Sequence, residues 1–565
     1  MITIPNIPES VVVRHASKAW PLGLGGAGLL IVGSLLSWSF DPQVLGDLSI
    51  SFNPGGLQIV AIAMALLAVI LFLARRGPLT SLGQWADTAL SLRALAIWTL
   101  LFMTMTLVAI TVETGGLVNV DPGGWISFVG AVLLFVASRF VVQQETRNLS
   151  EARMPGWAEI LVIVVLMAAI LFGTAYALGL TDAWAFVLFL IFVTGMVITG
   201  VRAGFLSWLG HVTARHKHVL TLAAFAVAFF FPFTQNGSDA NMSIASQVLI
   251  FAAAAMGLNI VVGLAGLLDL GYIAFLGSGA YVGATLSTSA FATIGWKPPF
   301  IIVVLVGACV SATLGLIIGA PTLRVSGDYL AIVTLGFGEI FRLSMFNLDG
   351  SNGPNLTHGP NGVPAIPDLF IGSFNFGDTH DLLGIPLARF SNYYFLLLVL
   401  IAFIIMVFSR LNNSRIGRGW VAIREDEKAA EAMGVNVFGL KILAFVVGAF
   451  LAGMAGTIKA HQDVSVTPDQ YIFLESAFLL AAIVLGGMGT IAGVLIGAVI
   501  LKLLPEKLRF FADYRLLLFG LLLVLMMRFR PEGLIASRRR QLEFHEDDEE
   551  LAVRVESDHA EDVKA

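Results

Sequence analysis

Charge is scarce in this chain. Of 565 residues only 13% are Asp, Glu, Lys or Arg, against roughly 25% in soluble domains, so a water-surrounded globule is excluded. Cysteine is scarcer still. The one thiol, Cys309, excludes any disulfide within the chain, and its place inside an apolar run suits a small packing residue. No GxxxxGK[ST], no HExxH and no Cys/His cluster occurs, so the chain carries no phosphate cradle and no metal centre of its own. Any ATP chemistry has to come from a partner, and no nucleic-acid partner is expected.

What fills the chain is apolar. Hydrophobic residues make up 57% and the mean hydropathy is +0.87, which describes an all-α polytopic membrane bundle, because a spanning helix needs ~20 apolar residues. Candidate spans lie near 21–41, 57–74, 94–112, 124–142, 157–177, 183–201 and 219–233, then 244–263, 266–290, 299–320, 329–346, 392–409, 441–461, 472–487, 489–504 and 514–530. The expected total is about sixteen spans. Four parts are expected: a cytoplasmic N-terminus (1–20), an N-terminal membrane extension of about seven spans (21–240), a core (241–535) with a polar loop at 410–439, and an acidic tail (536–565).

Alternating these spans places Arg75, Arg76, Arg93, Arg147, Arg153, Arg202, Arg215 and Lys217 on the same side as Arg410, Arg415, Arg418, Arg424 and Arg538 to Arg540. The positive-inside rule makes that side cytoplasmic, with both termini there. The opposite loop, 347–391, is nearly free of basic residues. Lys502, Lys507 and Arg509 resist the pattern, which makes 472–504 a candidate re-entrant region. Arg14 and Lys18 precede the first span without a small-residue cleavage site, so that span is expected to stay as an anchor. The net charge of −5 conceals a tail, Gln541 to Ala565, holding ten acids and two bases, and such a segment is expected to be solvated and disordered.

Five stretches are more informative than apolar filler. Residues 425–433 combine helix formers with early acids, and Gly434 sits where a C-terminal glycine cap belongs. This predicts a short exposed helix next to the span that starts at Leu440, or else an ordinary loop. In the glycine-dense run from Gly257 to Gly271, Asn259 and Asp269 flank either a helix broken inside the bilayer or a tight turn at its surface. Downstream, Thr334, Gly338 and Arg342 share a helical face, and Glu339 reaches Arg342 at i,i+3, as a pathway group or a packing ion pair. Gly486, Gly487, Gly489, Gly493 and Gly497 follow Glu475 and suit a close helix contact, with Glu475 toward the outer side. The outer loop, with Gly353-Pro-Asn and Gly359-Pro360-Asn361-Gly362, is built for turns.

Taken in order, GLNIVVGLAGLLDLGYIAF (257–275), RVSGDYLAIVTLGFGEIFRL (324–343), HGPNGV (358–363), IREDEKAAEAMGVN (423–436) and ESAFLLAAIVLGGMGT (475–490) resemble the LivM-type permease subunit of branched-chain amino acid ABC transporters. The resemblance covers roughly 241–535. It implies a bacterial inner-membrane protein that works with a second homologous permease subunit, two ATP-binding subunits that use ATP and Mg, a periplasmic substrate-binding protein, an amino acid substrate and membrane lipid. It makes 424–434 the coupling helix: Arg424, Glu425, Asp426 and Glu427 for polar docking, Ala429, Ala430 and Met433 for packing, and Gly434 for the angle. Asn259, Asp269, Thr334, Glu339, Arg342, Glu475, Gly486, Gly487 and Gly489 become pathway or packing residues. The loop residues Gly359, Pro360, Asn361 and Gly362 would face the binding protein. His358 departs from the glycine common at that position, and the extension before residue 210 exceeds the family core, leaving about six spans without a role. Two other readings are weighed: a urea or amide permease, and a proton-coupled transporter relaying through Asp269, Glu339 or Glu475.

Overall fold

Long apolar runs allow the backbone to satisfy its N–H and C=O groups by closing them within helices. The computed structural model follows that rule and describes residues 9–41, 44–76, 78, 80, 86–143, 154–322, 328–351, 353–382, 384–507, 515–529 and 532–535. The acidic tail expected over 536–565 lies outside the described residues, as do Arg147, Arg153, Arg324 and Arg509. Two compact units divide at Thr234 and Gln235, six residues before the division expected from the sequence.

Among the described residues the first unit holds eight helices: α1 (Glu9–Ser34), α2 (Gly56–Arg75), α3 (Thr88–Thr114), α4 (Pro122–Arg139), α5 (Gly156–Gly179), α6 (Ala183–Arg202), α7 (Phe205–Arg215) and α8 (Lys217–Phe230). Their starts are chemically marked. Asp87 and Asp182 each accept from two backbone N–H groups at the heads of α3 and α6, and Pro122 opens α4, where its missing N–H leaves no gap. The core packs Trp38, Phe72 and Phe102 among small residues. In α5 the buried Glu159 carboxylate meets Arg215 at 2.7 Å and His216 at 3.0 Å, the pairing that makes a buried charge tolerable.

The second unit holds eleven helices among the described residues: α9 (Asp239–Asn259), α10 (Ile273–Thr285), α11 (Phe300–Thr322), α12 (Asp328–Asn347), α13 (Arg389–Asn412), α14 (Arg415–Glu425), α15 (Glu427–Ala432), α16 (Val437–Asp463), α17 (Phe473–Gly486), α18 (Ile491–Lys507) and α19 (Arg515–Phe529). Two small antiparallel ladders sit between α12 and α13: β1 (Phe370–Ile371) with β2 (Phe374–Asn375), and β3 (His380–Leu382) with β4 (Ile385–Leu387). The long helix α16 packs tightly on α10 because glycine meets backbone there. A Cβ at Gly456 would overlap the Leu276 carbonyl, and one at Gly279 would overlap Gly453. Small residues at such contacts let apolar helices approach closely.

Twelve helices among the described residues are long and apolar enough to cross a membrane, fewer than the sixteen spans expected. Three of the four missing spans are short elements, and the fourth, 21–41, falls on α1, which ends at Ser34. The α10, α18 and α19 helices have 13, 17 and 15 residues, about 20 to 26 Å at 1.5 Å per residue against a ~30 Å hydrocarbon layer. Apolar composition alone does not show that a run is interrupted. Cys309 is also corrected, since it lies exposed on α11 instead of packed within the core.

Candidate functional site

The polar segment between α13 and α16 is one continuous chain of caps. Ser414 Oγ accepts from Gly417 N and starts α14. Asp426, extended at φ −153°, ends α14 and starts α15 by accepting from Ala429 N at 2.9 Å. The sequence expected one helix from 425 to 433; the structure places Glu425 at the end of α14 and starts α15 at Glu427. Gly434, at φ +83°, closes α15. Its N–H donates to Glu431 O and that of Val435 donates to Ala430 O, the paired bonds of a Schellman ending. Asn436 then caps α16 by accepting from Gly439 N.

Side chains fix how this segment sits. Ala430 is buried with Ile423 and Val437, so it packs inward; the expectation that it contacts a partner is corrected. Met433 is 85% exposed, and Ala429, Glu425 and Asp426 also face outward. Glu427 pairs with Lys441 of α16 at 2.6 Å. The fully buried indole of Trp420 donates to Leu440 O at 2.6 Å, tying α14 to α16. Arg424 bonds Glu425 at 2.8 Å and reaches back to donate to Gly263 O at 3.0 Å.

Gly263 belongs to the break that the glycine-dense run suggested. After Asn259 the helix widens into a π-turn, Ile260–Leu264, with Ala265 N donating to Ile260 O and Leu267 N to Val261 O. Asn259, with no exposed surface, accepts from Gly489 N at 2.8 Å and donates to Thr490 O at 3.4 Å. It therefore pins the tight turn between α17 and α18, where Gly487 (φ +123°) and Gly489 (φ +78°) adopt conformations that side chains rarely take. At the same contact Gly486 and Gly497 let α17 and α18 pack backbone to backbone. The turn lies at the level of Gly263, so 472–504 folds as a helical hairpin reaching the α15 end of the unit. Close by, Asp269 is buried; its Oδ1 accepts from Gly271 N at 2.9 Å, and Thr334 Oγ1 accepts from Leu270 N at 3.0 Å.

The other expected residues gather at the opposite end. Glu339 and Arg342 pair at 2.6 Å, and Arg342 also reaches Asp469 at 3.4 Å. Gly359, Pro360 and Asn361 form a 3-10 turn, followed by Gly362 at φ +64°. The chain then docks on the exit of α16 through Val363 and Val466. Beside that exit, α9, α10, α13, α16, α17 and α18 surround a cavity of ≈ 540 Å³. Glu475 is in its wall and pairs with Lys502 at 3.1 Å, which is where the lysine that resisted the charge pattern is engaged. The pathway candidates thus separate: one group surrounds the break, Glu475 lines the cavity, and Glu339 with Arg342 forms an ion pair outside that lining.

Several cavity residues were not legible as a group in the sequence. Lys459 pairs with Asp463 one turn on. Arg389 bonds Asp368 at 2.7 Å and the His461 and Gln462 carbonyls. Charged and amide residues ending the apolar run at 461 were a usable signal for Lys459, Gln462 and Asp463. Lys502 stood out only as an exception to the charge pattern, and nothing local marked its partner, 27 residues away.

Residues 240–527 match the family model described as branched-chain amino acid transport system / permease component. The chain is similar to the high-affinity branched-chain amino acid transport system permease protein LivM of Salmonella typhimurium, 39% identical over 345 residues, 59% of this chain and 78% of that protein. LivM of Escherichia coli is 37% identical over the same shares, and LivH of Escherichia coli is 29% identical over 184 residues, 32% of this chain and 58% of that protein. No solved structure matches the chain significantly. With the family model spanning more than half of its length, the chain belongs to the permease component family of branched-chain amino acid transport systems.

Proposed function

We propose that this chain is a membrane-spanning permease subunit of an ATP-driven importer that carries leucine, isoleucine and valine from the periplasm across the bacterial inner membrane, with both termini in the cytoplasm. In this reading a second permease of the LivH kind completes the pathway. Two ATP-binding subunits hydrolyse MgATP, and a periplasmic binding protein delivers the amino acid near Gly359 to Gly362. The observation that carries the proposal is the doubly capped, outward-facing α15, presented on Trp420 and tied through Arg424 to the carbonyl of the π-turn. Such a projection suits a cleft on a partner that moves. Asp426, Glu425 and Met433 face outward to meet that partner, whereas Arg424 and Glu427 are held within the chain.

The test is leucine uptake into vesicles carrying this chain, its partner subunits and the binding protein, with internal ATP removed in one run and an uncoupler added in another. Uptake lost only without ATP is expected; loss only with the uncoupler would favour proton relay instead. Gly434→Pro should leave the protein in the membrane yet abolish uptake, because proline fixes φ near −65° and deletes the bond to Glu431 O. Glu425→Lys should do the same by repelling Arg424. Normal transport by both variants would sink the coupling role.

A further inference from the structure

The ≈ 540 Å³ cavity falls within the size range of small-molecule sites, roughly 300 to 1,000 Å³, and its wall is divided by chemistry. One side carries the Glu475–Lys502 pair at 3.1 Å, with Lys502 also over the Phe251 ring at 4.7 Å. Another side is aliphatic, with Leu276 and Leu479. A third residue of the wall, Gln462, is 1% exposed, and neither its amide oxygen nor its amide nitrogen has a hydrogen-bond partner. A buried amide with an unmet donor and an unmet acceptor is costly.

We infer that this cavity is a transit site for a zwitterionic aliphatic α-amino acid, with Lys502 taking the carboxylate, Glu475 taking the ammonium and Gln462 supplying one donor and one acceptor. The inference rests on the importer reading above and specifies where in this chain its substrate is held. Exchange is the physical basis. Separating a partly buried ion pair is unfavourable when one charge is left alone, but a zwitterion that enters between Glu475 and Lys502 gives each a new opposite charge, so neither is left unpaired. A purely cationic or purely anionic analogue re-pairs only one of them. The aliphatic side chain then lies against Leu276 and Leu479, where water release favours it.

The experiment measures saturable binding of radiolabelled leucine to the purified complex of this chain with its partner subunits, without the binding protein. Leucinol and 4-methylpentanoate, which each lack one charge, serve as competitors. The same preparation is assayed for ATP-dependent leucine uptake after reconstitution with the binding protein. Failure of wild-type uptake would overturn the importer reading itself. Where wild type transports, we expect saturable binding competed by unlabelled leucine at least roughly tenfold better than by either analogue, the loss of one charge-assisted contact. Glu475→Gln/Lys502→Gln keeps a side-chain hydrogen bond between α17 and α18, so it should assemble but not bind. A transporting wild type that binds no leucine, equal competition by the analogues, or wild-type binding by the double variant would overturn the inference.

Discussion

Single residues carry unequal weight in this chain, and burial decides which. Asn259 is fully enclosed and serves both Gly489 N and Thr490 O. Asn259→Ala removes the acceptor of the part-buried Gly489 N–H, at a cost of roughly 1 kcal/mol. A lower thermal midpoint of the purified complex, with the Gly487 to Gly489 turn more open to proteolysis, is the expected result. An unchanged midpoint would mean that water takes the place of the amide. His358 shows the opposite balance. Its φ of +54° costs roughly 1–2 kcal/mol for a residue with a side chain, but its ring bonds Phe291 O at 2.9 Å, worth about 0.5–1.5 kcal/mol. The two nearly cancel, which explains physically how histidine can stand where glycine would be easier.

At the scale of elements, the joint between α14 and α16 rests on Trp420. Replacing it with phenylalanine keeps most of the packing and removes only the bond to Leu440 O, about 1 kcal/mol. Replacing it with alanine empties a fully buried site, about 3–5 kcal/mol. Thermal denaturation should therefore separate the two variants, with uptake falling in Trp420→Ala and mostly kept in Trp420→Phe; equal loss in both would assign the whole role to the indole N–H. Elements of this kind were partly readable in advance. Hydropathy located the helices because apolar runs in lipid have few alternatives, and Gly434 marked its own ending. The break at Asp426 was hidden because the residues around it all favour helix, and only its capping bond to Ala429 N divides the run. The glycine-dense run suggested a break, but its form as a π-turn was hidden, because the extra residue exists only in hydrogen-bond register. The pairing of Glu475 with Lys502 needed the hairpin before it could be seen.

For the whole molecule, the lone thiol allows a direct test of which end faces which compartment. Against a Cys309→Ala background, Met433→Cys at the α15 end and Pro360→Cys in the opposite loop each present one exposed thiol. A membrane-impermeant maleimide applied from the periplasmic side should label Pro360→Cys and spare Met433→Cys, and inverted vesicles should reverse the result. Labelling of both from one side would refute the orientation. On the proposed reading the second unit divides its labour, with the docking helix at one end and the cavity at the other, and the α17–α18 hairpin runs between them for about 20 Å from Gly489 to Lys502 at 1.5 Å per residue. The two units keep separate cores, and every residue assigned a role in transport lies in the second.

The π-turn after Asn259 has a consequence that is purely one of screw geometry. It winds one residue more into its turn than an α-helix would. Drawing that residue into regular winding would advance the downstream chain by about 1.5 Å and rotate it by about 100°. No intermediate setting is available, because hydrogen-bond register changes only in whole residues. The segment that holds Asp269 follows this turn as a nut follows a thread, and Arg424 grips the carbonyl of Gly263 within it.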